Sequence, residues 1–350
     1  MSIRESIIKV LSNQSFIGAI LIALIFIIIG FILVRKDKVQ NGAKEIITIL
    51  IMYIGLPAMA FKSFMADFDK DTFGTNLLVF ALAIIFYIIL LLLGNLVFIK
   101  KDKKKREAYS IFIAMGQVSY FSLPIIEAVY KTNEALIPIN LVLVVFRFFL
   151  YLYSFSVLSG INLDKKHIKT SLKKILLNPI LIAMFIGILI WVTQGISPKI
   201  RVGDIIAKDY SIFRIDKTVP ALYAVITCAS SLVIPLSMIL IGFTLGKTNI
   251  KQALTNKLAW LISFIRVIIC PILVMLITIL IDKIKGIDFN EFQFAALVIG
   301  FGAPISAIIN TYAIKYNREE EVASSSCLLS CMMSIISFPI MFILINLYFN

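Results

Sequence analysis

The fold is decided by two apolar stretches that proline and small polar residues interrupt: Ala114-Met-Gly-Gln-Val-Ser-Tyr-Phe-Ser-Leu-Pro124 and Gly300-Phe-Gly-Ala-Pro304-Ile-Ser-Ala-Ile-Ile-Asn310. Proline lacks an amide donor and clashes with the preceding turn, so we expect each helix to open there. Freed backbone groups inside a bilayer are tolerated only against protein or beside a wet cavity. Because the two interruptions occupy matching places in the two halves of the chain, they indicate the substrate site of a transporter.

The composition is that of a polytopic membrane protein. The chain has 350 residues, of which 60% are hydrophobic and 15% are charged. Soluble domains are about 45–50% apolar and about 25% charged. The net charge of +14 would suggest nucleic acid for a soluble protein, but here the cations lie in short loops between apolar segments. Anionic lipid headgroups are their natural partner there, so we expect one membrane domain that contacts lipids and binds no nucleic acid.

Ten apolar segments are predicted to cross the membrane as helices. A spanning helix needs about 20 apolar residues, and only the sixth segment is clearly shorter. The polar stretch Ser197–Thr218 that follows it is predicted to be a surface loop with an interfacial helix. The predicted spans are Phe16–Val34, Ile46–Phe64, Asn76–Ile99, Tyr109–Tyr130, Leu136–Gly160, Pro179–Thr193, Val219–Leu245, Leu258–Ile281, Phe292–Ile314 and Val322–Leu347.

The loop charges predict the orientation of the chain in the cell membrane. One side collects twenty lysines and arginines, whereas the opposite side holds twelve and includes the acidic connection with Asp67, Asp69 and Asp71. By the positive-inside rule the first side is cytoplasmic, so both termini are predicted to be extracytoplasmic. The twenty cations are Arg35, Lys36, Lys38, Lys44, Lys100, Lys101, Lys103, Lys104, Lys105, Arg106, Lys165, Lys166, Lys169, Lys173, Lys174, Lys247, Lys251, Lys257, Lys315 and Arg318.

The two halves are predicted to be inverted repeats. Five crossings per half is an odd number, so a duplicated half enters the membrane upside down. We divide the chain into a first repeat (1–160), a cytoplasmic basic loop (161–178) and a second repeat (179–350). Spans 4 and 9 each end in a tyrosine followed by polar residues, at Tyr130 and Tyr316. Aligning these tyrosines places Pro124 opposite Asn310 rather than opposite Pro304. The alternative to a repeat is therefore that the proline kinks in the two halves coincide by chance.

Several motifs along the chain resemble the auxin efflux carrier family, which includes bacterial malate and malonate permeases and plant PIN-type carriers. They are Leu56-Pro57-Ala-Met-Ala-Phe61 in span 2, Gln117-Val-Ser-Tyr-Phe-Ser122-Leu-Pro124-Ile-Ile-Glu-Ala-Val-Tyr130-Lys131 in span 4, and Pro235-Leu-Ser-Met-Ile-Leu-Ile-Gly242 in span 7. No single motif is specific, but their order matches over nearly the whole chain. Gln117 replaces the family's usual asparagine, and its longer amide alters the size of the cavity; Ser122 and Lys131 replace glycines.

This resemblance implies an all-α polytopic membrane protein with ten transmembrane helices in two inverted five-helix repeats. Helices 4 and 9 would be broken and would cross at their centres, as in the related bile-acid symporter fold. One bundle would move as an elevator against a scaffold that often dimerises, so a homodimer is expected.

The predicted substrate is a small organic anion such as a carboxylate, an auxin-like acid or a dicarboxylate. An anion that leaves water needs donors, and half-helix N-termini supply free amides with a partial positive charge. The halves after Pro124 and Pro304 would provide them. For the serines an interhelical hydrogen bond is an equally good interpretation, whereas the long amides favour the cavity. The predicted substrate-binding residues are Gln117, Ser119, Tyr120, Ser122, Pro124, Asn140, Pro304, Ser306 and Asn310.

Three ionisable residues within the spans are further candidates for charge balance or coupling. Arg147 in span 5 and Arg266 in span 8 could each balance a carboxylate; the favoured alternative is that each extends to the interface or pairs with backbone carbonyls. Glu127 could take up a proton, although a solvated interfacial carboxylate is the better interpretation, and Lys62 is expected to extend to the interface.

Competing functions are a membrane enzyme and a channel. The single histidine, His167, lies in a basic loop, and neither a catalytic set, a nucleotide-binding motif nor a filter motif is recognisable. We therefore predict a carrier without a cofactor or metal and no enzymatic activity. Cys228, Cys270, Cys327 and Cys331 all fall in apolar segments, where buried small side chains are a better interpretation than a metal site or disulfides.

Overall fold

A computed structural model describes residues 14–40, 42–68, 70–160, 169–170, 176–202, 208–247 and 250–349. Each of the ten predicted apolar segments contains helix, and the boundaries differ from the predicted ones by a few residues. Most of the predicted basic loop 161–178 lies outside the described residues. The uninterrupted helices are α1 (Gln14–Arg35), α4 (Lys70–Val97), α9 (Pro179–Thr193) and α18 (Glu320–Phe349).

The other segments combine two or three helical pieces. Span 2 joins α2 (Ala43–Leu50) to α3 (Leu56–Ser63), and span 5 joins α7 (Asn133–Phe148) to α8 (Phe155–Ser159). Span 4 contains α5 (Lys103–Ala114) and α6 (Leu123–Tyr130). In the second half, span 7 contains α11 (Pro220–Ser231) and α12 (Val233–Lys247), span 8 contains α14 (Lys257–Phe264) and α15 (Cys270–Asp282), and span 9 contains α16 (Glu291–Gly302) and α17 (Ala307–Lys315). Short helices α10 (Ile215–Thr218) and α13 (Ile250–Thr255) lie between spans.

Six of these helical segments are long and apolar enough to cross a membrane. Four shorter apolar helices accompany them within the described residues: Leu21–Arg35, Val118–Tyr130, Pro179–Thr193 and Glu291–Gly302. Large apolar side chains such as Leu92, Leu189 and Leu276 are exposed on the outer faces of the helices. Apolar surface of this extent indicates contact with lipid. The chain is thus a multi-pass membrane protein.

Prolines are accommodated by widened helical turns. Within the part of the chain that the structure describes, four π-helical segments occur: Ile51–Gly55, Val118–Ser122, Phe149–Ser154 and Ile265–Ile269. Three of them directly precede a helix whose second residue is Pro57, Pro124 or Pro271. A π-turn moves the preceding carbonyls away from the proline ring. The hydrogen bond that a proline amide would have donated in an α-helix is then no longer required. The prediction that span 4 opens at Pro124 is therefore wrong, because the helix opens upstream, between Ala114 and Val118.

The helices form two groups by their contacts. Spans 1, 2, 6 and 7 pack on one another, and spans 3, 4, 5, 8, 9 and 10 form a second set. The closest packing within the first group is between α1 and α12. A Cβ atom on Gly30 would lie 2.4 Å from the Ile239 carbonyl oxygen, and one on Gly242 would lie 2.2 Å from that of Ile27. Glycine at both positions allows this backbone approach, as in other membrane helix pairs.

Polar contacts join the connections on each side of the bundle. On the side with most of the basic loops, Lys105 lies 3.7 Å from Glu319, and Arg318 Nε donates to the Leu158 carbonyl at 3.1 Å. We call this the basic side. On the opposite side, the Asn133 amide donates to the Tyr223 hydroxyl at 3.0 Å. Contacts of this kind tie neighbouring connections together on each side of the bundle.

The polar stretch between spans 6 and 7 contains a β-hairpin, which the all-α prediction did not include, and it ends in the short helix α10. Strands β1 (Lys199–Val202) and β2 (Lys208–Ser211) pair in antiparallel. The alternation Lys-Ile-Arg-Val has the period of two that is typical of a strand. After the hairpin, Arg214 donates to Asp216 and to Asp67. Burial disfavours its charged form, but these hydrogen bonds outweigh that cost and raise the pKa of Arg214.

Candidate functional site

The two broken helices meet at their breaks. Gln117 N donates to the Pro304 carbonyl at 2.7 Å, and Ser306 N donates to the Met115 carbonyl at 3.0 Å. Gly116 and Ile305 thereby form an isolated antiparallel bridge. Backbone groups that lose their helical partners need others in a medium without water, and each break supplies them to the other. The crossing point is consequently a short two-stranded contact in the middle of a helical bundle.

Gln117 also caps the second half of span 9. Its side-chain oxygen accepts a hydrogen bond from Ala307 N, the first residue of α17, at 2.6 Å. Ser306 occupies the N-cap position of α17 but makes no side-chain cap bond itself. A side chain from one break thus performs the capping that the local serine would otherwise provide. Gln117 is only 6% exposed.

Five backbone amides lie at the starts of the helical segments that follow the breaks, where a helix supplies no partner of its own for its first amides. Two belong to the first turn of α17 (Ile308 and Ile309), and three to the start of the helical half after Gln117 (Val118, Ser119 and Tyr120). Amides at a helix start carry a partial positive charge and bind anions. The predicted free amides therefore exist, but in span 4 they lie before Pro124 rather than after it.

A cavity of about 130 Å³ is lined by two of these five residues, Tyr120 and Ile308. It reaches from Gln117 and Tyr120 toward Lys44, which lies at the basic-side end of span 2. Spans 2 and 7 of the first helix group line one wall, and the breaks and span 10 line the other. Its lining residues are Lys44, Thr48, Gln117, Tyr120, Leu240, Ile241, Thr244, Ile305, Ala307, Ile308, Thr311, Cys327 and Cys331.

Arg266 fixes both breaks by pairing with backbone carbonyls, which confirms one of the two alternatives for this residue. It is fully buried. Its Nε donates to the Ala303 carbonyl at 2.8 Å, and its Nη1 donates to the carbonyls of Ile113 and Ala114 at 3.0 Å each. These carbonyls end α16 and α5, where the helix dipoles are negative. Arg266 therefore holds the C-terminal ends of both first half-helices together.

Gly116 makes room for this arginine. A Cβ atom at position 116 would lie 1.9 Å from Arg266 Nη2 and 2.8 Å from its Cζ. Ser330 completes the crossing from span 10, because its hydroxyl accepts a hydrogen bond from Ile305 N at 3.0 Å. Neither Gly116 nor Ser330 was among the predicted site residues. The Gly-Gln pair before the polar run of span 4 was the available signal for Gly116.

Several predicted binding residues make contacts between helices and are not among the described residues that line the crossing cavity. The Ser122 hydroxyl donates to the Ile299 carbonyl at 2.7 Å, and the Asn140 amide donates to the Ser63 hydroxyl at 3.2 Å. Asn310 accepts a hydrogen bond from the Ser324 hydroxyl at 3.0 Å. Pro124 is the second residue of α6, and Pro304 contributes its carbonyl to the crossing. Ser119 lies in the π-helical segment beside the break and is buried.

Glu127 and Lys62 form an ion pair, which the predictions of a solvated carboxylate and of an interfacial lysine did not include. Their atoms Oε1 and Nζ are 3.0 Å apart, and their side chains are 13% and 17% exposed. The pair joins span 2 of the first helix group to span 4 of the second. Both residues line a second cavity, of about 320 Å³, on the side opposite to the basic side. Pairing avoids the cost of two isolated buried charges.

Arg147 is buried as well, but its surroundings differ from those of Arg266. Its side chain is 1% exposed, so the alternative in which it extends to the interface is wrong. Its Nε and Nη2 atoms have no hydrogen-bond partner in the described part of the chain. Of the cysteines, Cys270, Cys327 and Cys331 are buried as predicted, whereas Cys228 is exposed.

The family described as membrane transport protein matches residues 15–342. The chain belongs to this family. The resemblance to the auxin efflux carriers is thereby confirmed, and the protein is a membrane transporter by family. Among curated proteins, none matches the chain. As a member of a transporter family, the chain is not expected to be an enzyme.

Proposed function

We propose that this membrane transport protein is a secondary carrier of small organic anions, such as carboxylates, auxin-like acids or dicarboxylates, and that the anion binds where spans 4 and 9 meet. The observation that carries the proposal is the pair of mutually bonded breaks, with free amides beside a cavity. Gln117 and Tyr120 line that cavity, and the partial positive charge of two helix starts favours an anion without a lysine at its centre.

We further propose ten crossings in two inverted repeats and an elevator movement of the second helix group against the first. The division of helix contacts supports this proposal, because the cavity lies between the two groups. The Lys62–Glu127 ion pair connects the same groups on the opposite side. The crossing cavity extends toward Lys44 on the basic side, and the cavity lined by the ion pair lies on the opposite side. A homodimer built on the first group follows from the family resemblance.

Transport is tested by counterflow in proteoliposomes. Purified protein is reconstituted with unlabelled malate, malonate or phenylacetate inside, and uptake of the labelled acid is followed. A carrier gives transient accumulation of label that saturates with external concentration. A channel gives equilibration without accumulation, and an enzyme gives a changed compound without flux. If protein-free liposomes took up as much label as the proteoliposomes for all three acids, the proposal would be contradicted for these substrates.

The orientation predicts that the basic side faces the cytoplasm. Lys103 is highly exposed at the start of α5. A Lys103→Cys variant, in a chain without its native cysteines, is expected to react with a membrane-impermeant maleimide only in inside-out vesicles. Cysteine at Lys208 in the hairpin is the matched control and should react only in right-side-out vesicles. Modification of the Lys103→Cys variant in intact cells would reverse the proposed topology.

A further inference from the structure

Arg147 is a buried cation without a described counter-ion. It is 1% exposed, and its helix α7 lies in the most enclosed of the long apolar segments. Two of its three guanidinium nitrogens, Nε and Nη2, lack a partner within the described residues. Its polar neighbours are the phenols of Tyr120 and Tyr151, of which Tyr151 shares a hydrogen bond with it, and a phenol does not neutralise its charge as a carboxylate would. An uncompensated charge in a low-dielectric interior is strongly unfavourable, so this position calls for an anion.

The two partnerless nitrogens form one edge of the guanidinium group. That edge binds both oxygens of a carboxylate through two parallel hydrogen bonds. The same protein shows this geometry elsewhere, since Arg214 donates through Nε and Nη2 to the two carboxylate oxygens of Asp216 at 2.7 and 2.8 Å. Arg147 presents the equivalent pair of donors, with no described carboxylate against them. Its chemistry therefore matches a planar carboxylate better than a neutral solute.

Arg147 lies at the depth of the breaks. It is followed by about three helical turns before span 5 ends on the basic side, or roughly 18 Å at 1.5 Å per residue. The break in span 4 follows α5, which has 12 residues and starts on the same side. The segment Val118–Ser122 packs against α7. Tyr120 belongs to that segment, lines the crossing cavity and neighbours Arg147, so it connects the two.

We propose that Arg147 is the counter-charge for the carboxylate of the transported anion, which it reaches beside Tyr120. This inference rests on the proposed carrier function. It separates two arginines that were equivalent candidates in the sequence. Arg266 already donates to three carbonyls and holds the breaks together, whereas Arg147 has the donors that an incoming carboxylate requires.

The first test compares the stability of two methionine variants without substrate. Arg147→Met removes an uncompensated charge while keeping most of the side-chain volume, so the thermal unfolding temperature should rise. Arg266→Met leaves three carbonyls without their donor, so the same temperature should fall. A lower unfolding temperature for Arg147→Met would show that Arg147 has structural partners and would overturn the proposal.

The second test measures ligand binding by calorimetry with malonate and phenylacetate, and with the uncharged malonamide and phenylacetamide. Loss of a charge-assisted carboxylate contact should weaken binding of an acid to Arg147→Met by about ten- to a hundred-fold. Binding of the amides should not change. If the wild type binds one of the acids and Arg147→Met binds it with the same affinity, the proposed role of Arg147 is overturned. The carrier proposal is not affected by that result. Wild-type protein that binds neither acid would contradict the carrier proposal for them, and the role of Arg147 with it.

Discussion

Gly116→Ala is expected to destabilise the protein by about 3 kcal/mol, since overpacking costs 1–3 kcal/mol and displaced hydrogen bonds add to it. The new methyl group would lie 1.9 Å from Arg266 Nη2, so the guanidinium must shift and strain its hydrogen bonds to the carbonyls of Ala303, Ile113 and Ala114. Thermal unfolding in detergent measures the loss. We also expect counterflow to disappear, because Arg266 holds the ends of both first half-helices.

Gly74→Ala is the matched control for this substitution. Gly74 lies in α4, and a Cβ atom there would meet no atom within 4 Å. Alanine in an open helical position should leave stability unchanged or raise it by up to about 1 kcal/mol. If Gly116→Ala were as stable as Gly74→Ala, Arg266 would not be confined by position 116, and its role at the breaks would be refuted.

Gln117→Glu is expected to abolish counterflow of carboxylates while leaving the protein folded. A glutamate at this position keeps an oxygen that can accept the hydrogen bond from Ala307 N, and a negative charge at a helix start is favourable. The same charge lies in the cavity and repels an anionic substrate, so binding should weaken by at least about tenfold, the equivalent of 1.4 kcal/mol. Flux and unfolding temperature are measured on the same preparation.

Two further variants separate capping from substrate contact. Gln117→Ala removes the cap as well as the cavity amide, so it should lower both stability and flux. Asn310→Ala removes an amide that accepts a hydrogen bond from Ser324, and Asn310 is not among the described residues that line the cavity. We therefore expect a loss of stability of about 1 kcal/mol, with most of the flux retained. Wild-type flux in Gln117→Glu would refute an anion site at this position.

The ten apolar segments, their loop charges and the two interrupted helices could be predicted from the sequence, because hydropathy and proline act locally. The exact places where the helices open could not. Pro124 is the position where the sequence predicts the break of span 4. A π-turn accommodates this proline, however, and the helix opens at Gly116 instead. The alignment of Tyr130 with Tyr316 supports this position in retrospect, since it pairs Gln117 with Ala303, which lies in the break of span 9.

The partners of the buried polar residues could not be predicted from the sequence either. Lys62 and Glu127 are 65 positions apart in the chain, and their ion pair depends on how spans 2 and 4 pack. The two arginines look alike in sequence because each follows an apolar run. Only the packing shows that Arg266 faces three helix-end carbonyls whereas Arg147 faces phenols. Contacts between distant helices decide which polar residues are structural and which remain available for a solute.

The central claim is that an anion occupies the cavity at the crossing of the two breaks. Its most direct test is protection of a cysteine in that cavity. Thr311 lies in α17, is exposed and lines the cavity. In a chain without native cysteines, we predict that a carboxylate which supports counterflow slows alkylation of Thr311→Cys at least tenfold and leaves Lys103→Cys unaffected. Equal alkylation rates of Thr311→Cys with and without saturating carboxylate would contradict the account.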